Sequence, residues 1–131
     1  MQLARPFDLK DLRFEYGLDG VRLLPWPGAS IPFGGAYCIV RPRSVSLHHV
    51  NSPEDEEELF VCISGKAQVV IGEESFEASQ GNVFFIPRGV PHHVRNDTDT
   101  PFHFYALWWN KEIAEGYLEQ RTTAEIVEPP L

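Results

Sequence analysis

Cysteine is scarce in this chain of 131 residues, with only Cys38 and Cys62. Each lies in an apolar, strand-like stretch and neither belongs to a CxxC pair, which excludes a disulfide framework and a thiolate zinc site as the organising element. Buried thiols are the expectation. Long apolar runs are missing as well. The stretch 102–109 is broken by His103 and falls far short of the ~20 residues that a spanning helix requires, so no membrane segment is expected. Positive charge is also short, with 11 Lys and Arg against 19 Asp and Glu and a net charge of −8. Binding to a phosphate backbone draws its non-specific affinity from clustered Lys and Arg, so nucleic acid is not an expected partner. The N-terminal MQLARPFDLKDLRFEYG carries charges throughout and no continuous apolar core. It does not read as a secretory signal, and a cytoplasmic location is the expectation.

What remains is an ordinary globular balance, 43% hydrophobic and 23% charged, on a chain the size of one domain. A single domain over 1–131 is expected. Alternation and β-branched or aromatic residues dominate the middle, and Gly and Pro recur at short intervals. Strands are predicted over 36–40, 44–49, 58–63, 67–71, 75–78, 83–86, 92–96 and 102–109. Their spacing suits a sandwich or barrel, with turns at Ser64-Gly65-Lys66, Gly72-Glu73-Glu74, Gln80-Gly81-Asn82, Pro87-Arg88-Gly89 and Asn96-Asp97-Thr98-Asp99. Residues 1–35, with the prolines of Leu23-Leu24-Pro25-Trp26-Pro27-Gly28, read as an extended wrapping arm at a sheet edge. Ile113, Tyr117 and Leu118 recur at helical spacing and predict one short helix over 111–121, followed by a tail over 122–131 whose end should fray.

The most specific signal is Gly81-Asn82-Val83-Phe84-Phe85-Ile86-Pro87-Arg88-Gly89-Val90-Pro91-His92-His93-Val94-Arg95-Asn96. Physically it is a strand ending in a Pro-x-Gly turn, which reverses the chain and aims His92 from the next strand. Asn96 closes that strand as a turn residue. The stretch resembles the second motif of the cupin family, G-x5-P-x-G-x2-H-x3-N, at every fixed position. The first cupin motif, G-x5-H-x-H-x3,4-E-x6-G, is matched in part. Gly65 stands at its end, and across six intervening residues lies Glu58, one member of the acidic run Glu54-Asp55-Glu56-Glu57-Glu58. Arg43 stands in place of the family glycine, His49 in place of the first histidine, and Asn51 in place of the second. The loop between Asn51 and Glu58 is longer and more acidic than the family pattern.

The resemblance covers 36–109. It implies an all-β, cupin-type double-stranded β-helix, a jelly-roll barrel with an N-terminal arm and one short C-terminal helix. It also implies one divalent transition metal held by His49, Glu58 and His92. Two imidazoles and a carboxylate from separate strands have the composition of a facial triad with open positions. Such ligation favours Fe(II) and also suits Zn, Ni, Mn or Co. Asn51 is expected to donate a hydrogen bond to a bound ligand or to close a turn. His48 and His93, each next to a ligand on a strand, should face the other way. The residues 54–57 read as a solvated loop.

By strand parity His103, Tyr105, Leu107 and Trp109 share one face of the last strand, opposite Phe102, Phe104, Ala106 and Trp108. If the histidine face lines the interior, His103 or Tyr105 is the candidate catalytic proton donor. Arg41 and Arg43 stand near the first motif, where they face either solvent, the acidic loop or a substrate carboxylate. The aromatic side chains fit apolar walls around a small organic substrate. The leading functional expectation is a metal-dependent enzyme on a small organic molecule, with an iron-type oxygenase first. A non-redox cyclase, isomerase or lyase and a non-catalytic binding or sensing domain stand as the alternatives. A homodimer is expected, as is common among small cupins.

Overall fold

A computed structural model of the chain describes residues 2–24, 26–52 and 55–121, with Arg121 in its backbone only. The expected tail over 122–131 lies outside the described residues, as do Pro25 and Glu54. Two antiparallel sheets face each other. The larger has the order β1 (Arg13–Glu15), β2 (Leu18–Arg22), β3 (Phe33–Val40), β10 (Phe102–Asn110), β5 (Glu56–Ser64), β8 (Val83–Ile86). The smaller runs β4 (Ser44–Val45), β9 (His92–Asn96), β6 (Ala67–Ile71), β7 (Glu74–Ala78). This is the jelly-roll barrel that the sequence predicts. The chain then enters α1 (Lys111–Arg121), whose start is capped by Asn110, with its side-chain oxygen accepting from the Ile113 N–H at 3.0 Å. Ile113, Tyr117 and Leu118 are all exposed.

Period-two patterning decides which side chains fill the barrel. On β10 Phe102, Phe104 and Ala106 are buried; on β5 Glu58, Phe60 and Cys62; on β9 His92, Val94 and Asn96. Val40, Cys62, Ala67, Val69, Ala78 and Phe102 pack one end solidly. Fully burying a side chain such as Phe102 contributes roughly 1.5–3 kcal/mol, so this end anchors the fold. Towards the other end β10 carries the small Ala106 opposite Phe60, and the interior opens into a cavity of about 440 Å³.

Three expectations need correction. The N-terminal arm is not merely extended: β1 and β2 form a hairpin that adds to β3, with Gly20 opposite Cys38. Its two-residue loop, Tyr16-Gly17, has φ of +55° and +74°, the signature of a type I′ turn whose twist matches the strands. The strand predicted over 44–49 is regular only at Ser44–Val45, because the Leu47 N–H leaves the ladder to donate to the Tyr16 carbonyl at 2.7 Å. Finally, the acidic run is less of a loop than expected. β5 begins at Glu56, and Glu57 accepts a hydrogen bond from the Trp109 indole at 3.2 Å.

Candidate functional site

The bulge at 47–48 builds the site. Ser44 and Val45 pair with Asn96 and Arg95. The Ser46 N–H donates to Val94 O at 2.8 Å, and the Val94 N–H donates to the Ser46 hydroxyl at 2.8 Å. His49 then faces His92, with N–H···O bonds of 3.2 and 3.0 Å in the two directions. Three steps along this segment therefore span two steps along β9, which is one extra residue. Without it His48 would stand opposite His92 and point inward. With it, His49 does, and its ring lies 4.7 Å from that of His92.

Both inward imidazoles are held in the same way. His92 Nδ1 lies 3.0 Å from the Val90 carbonyl, and His49 Nδ1 lies 3.0 Å from the Leu47 carbonyl. A carbonyl only accepts, so each ring donates from Nδ1 and leaves its Nε2 lone pair free. His92 is 2% exposed, and its Nε2 lies 3.2 Å from Glu58 Oε1. Glu58 is itself buried, and that oxygen has no hydrogen-bond donor among the described residues. A lone pair on nitrogen thus faces a carboxylate oxygen, two electron-rich atoms that only a proton or a cation between them reconciles. The donor set fits a divalent metal. It is not drawn closed, however: among the described residues no three His, Cys, Asp or Glu side chains stand as a ready metal-binding cluster. His49, Glu58 and His92 share one cavity without meeting at a common centre.

Asn51 lines the same cavity, is buried, and its amide nitrogen has no partner among the described residues. Phe60, Phe104, Trp108 and Leu18 form apolar walls. Glu56 also reaches the cavity, and burial, with the charges of Glu58 and Asp55, raises its carboxyl above the ordinary range. Cys38 borders it too, and burial beside Glu58 pushes its thiol up to about 12, so it stays protonated and unreactive. Cys62, in the packed end, is pushed up to about 11 by burial.

His48 and His93 pair with each other instead, their Nδ1 atoms 2.7 Å apart. His93 borders the cavity, and burial, followed by the neighbouring His48, Arg95 and His92, lowers its tendency to take a proton. The expected catalytic pair is corrected by parity. Phe104, Ala106 and Trp108 line the cavity, so His103 and Tyr105 lie on the outer face of β10. There His103 Nδ1 lies 2.5 Å from the Tyr37 hydroxyl, and Tyr37 packs on Tyr105. Neither reaches the interior. Arg41 and Arg43 also turn away from the cavity, pairing with Asp19 at 2.8 Å and Asp99 at 2.9 Å.

Sequence reasoning overlooked the hairpin as part of the site. Glu15, Tyr16, Leu18 and Arg22 all line the cavity. The one signal on offer was Gly17, the residue that a two-residue turn needs.

A two-sheet antiparallel barrel, filled at one end and presenting imidazole and carboxylate groups in a cavity at the other, is the architecture of a small β-barrel domain. The chain belongs to the cupin family, whose Cupin domain model matches residues 36–109. Among solved structures, the plu4264 protein from Photorhabdus luminescens is 43% identical with a TM-score of 0.79, the match covering 94% of this chain and 100% of that one. A Cupin 2 conserved barrel domain protein from Salinispora arenicola is 32% identical with a TM-score of 0.77, covering 92% of this chain and 98% of that one. An uncharacterized protein of Streptomyces coelicolor is 31% identical over 67 residues, which span 44% of this chain and 64% of that protein.

Proposed function

We propose that this cupin holds one divalent metal, Fe(II) by preference, on His49, Glu58 and His92, and oxygenates a small organic molecule bound in the cavity. The observation that carries the reading is the pair of free Nε2 lone pairs, one of them 3.2 Å from an unpartnered buried carboxylate oxygen. Two imidazoles and one carboxylate suit a facial arrangement. What a metal supplies when bound there is open positions at which substrate and dioxygen are brought together.

The remaining work belongs to the chain. The Val90 and Leu47 carbonyls fix the ring tautomers. The Asn51 amide supplies a buried donor for an oxygen atom of the substrate. The walls of Phe60, Phe104 and Trp108 exclude water and receive a largely apolar body.

The test combines elemental analysis of untagged protein with oxygen uptake. The reading predicts close to one metal per chain and uptake of dioxygen with iron loaded and a substrate present. Turnover that is as fast with zinc and needs no oxygen would replace it with non-redox chemistry. Protein that takes up no metal under any loading would leave a binding or sensing domain.

A further inference from the structure

His49 is the ligand least firmly held by the barrel itself, because it lies beyond the regular part of its strand. We propose that the Tyr16–Gly17 turn of the N-terminal hairpin positions His49, so that the geometry of the cavity site depends on a segment outside the family barrel. The proposal rests on the metal reading above for its consequence, though not for its structural content.

Four observations converge on it. The Tyr16 carbonyl accepts the Leu47 N–H at 2.7 Å, and the Leu47 carbonyl in turn accepts from His49 Nδ1 at 3.0 Å. One residue, Leu47, therefore links the turn to the imidazole tautomer. The Tyr16 ring lies on the His49 ring with centroids 5.2 Å apart. The turn is seated without slack: a Cβ added to Gly17 would stand 2.9 Å from Val45 O and 3.1 Å from Leu47 N. Lastly, Tyr16 holds a left-handed φ of +55°, a conformation that residues with a Cβ avoid. Asn or Gly would fill the position without that penalty, and an unfavourable backbone kept under a large ring is explained if the ring has a task. Tyr16 is a positioning residue. It acts on His49 and needs no contact with substrate.

The glycine variant isolates the ring. Tyr16→Gly keeps the left-handed turn and the carbonyl to Leu47, and its melting temperature should be no lower than that of the parent. Cobalt(II) titration should show its affinity reduced about 10- to 100-fold, the range typical for groups that orient a metal ligand, whereas Tyr16→Phe should bind like the parent. Gly17→Ala, which unseats the turn, should reproduce the loss. In metal-free protein, nitrogen-detected NMR should show His49 as a single Nδ1–H tautomer in the parent and in Tyr16→Phe, and as a mixture in Tyr16→Gly. Unchanged cobalt affinity together with an unchanged His49 tautomer in Tyr16→Gly would overturn the proposal. If the parent takes up no cobalt, the metal reading fails. The tautomer comparison then decides alone, a mixture upholding the positioning role and a single tautomer refuting it.

Discussion

The Asn96 side chain is fully buried and has every polar valence occupied. Its amide donates to the carbonyls of Val40, Arg41 and Thr100, and its oxygen accepts from the Thr98 N–H and hydroxyl. The residue ties the end of β9 to the end of β3 and to the turn that follows. Truncating it strands buried partners that cost about 1–3 kcal/mol each when unpaired. Asn96→Ala should therefore lose about 3 kcal/mol or more in urea denaturation, and Asn96→Asp should fare no better, since a carboxylate cannot donate. His103 carries a pH signature of its own. Burial lowers its pKa, and its neighbours Tyr37 and Tyr105 are uncharged partners. The unfolded chain takes up a proton at His103 before the folded one does, so stability rises with pH across the ordinary histidine range and falls as pH drops through it. His103→Gln should remove that part of the slope between pH 8 and pH 5, measured by melting temperature against the parent. At this scale motif spacing pointed to His49, and it is His49 rather than His48 that lines the cavity. Alternation alone would have chosen the other, because nothing in the local pattern marks the extra residue at 47–48.

Elements were legible where their side chains alternate and obscure where backbone conformation decides. β6 and β8 to β10 stand close to their predicted limits because their inward residues are apolar or fixed by the motif. The hairpin of β1 and β2 was hidden, since β1 is exposed along its whole length and offers no apolar stripe to read. The turn before β4 shows a related case. Arg43 occupies the family's glycine position and keeps glycine's backbone, with φ of +55°, while its N–H donates to Thr98 O at 3.1 Å. A left-handed residue with a Cβ costs roughly 1–2 kcal/mol, and the exposed pair with Asp99 returns little of it. Arg43→Gly should thus raise stability by about 1 kcal/mol, and Arg43→Val should lower it, as read from paired denaturation curves.

At the scale of the whole molecule the two ends of the barrel divide the labour. Phe102, Val40 and Val69 are fully buried in the packed end and supply stability, which leaves the other end free to hold polar groups that contribute little to folding. The barrel and its residues 36–109 were legible from the two motifs because spacing between strands is written directly in the chain. The outward placement of His103 and Tyr105 was not, because alternation gives two faces without saying which is the inside. Three side chains gathered in one cavity carry the proposed function, and metal uptake by single variants tests that most directly. His49→Ala, Glu58→Ala and His92→Ala should each lose more affinity than the about 10- to 100-fold that removing an orienting partner costs, or bind no metal at all, with His93→Ala close to the parent. Uptake that survives His92→Ala and is lost in His93→Ala would contradict the account, placing the ligands on the opposite face of β9.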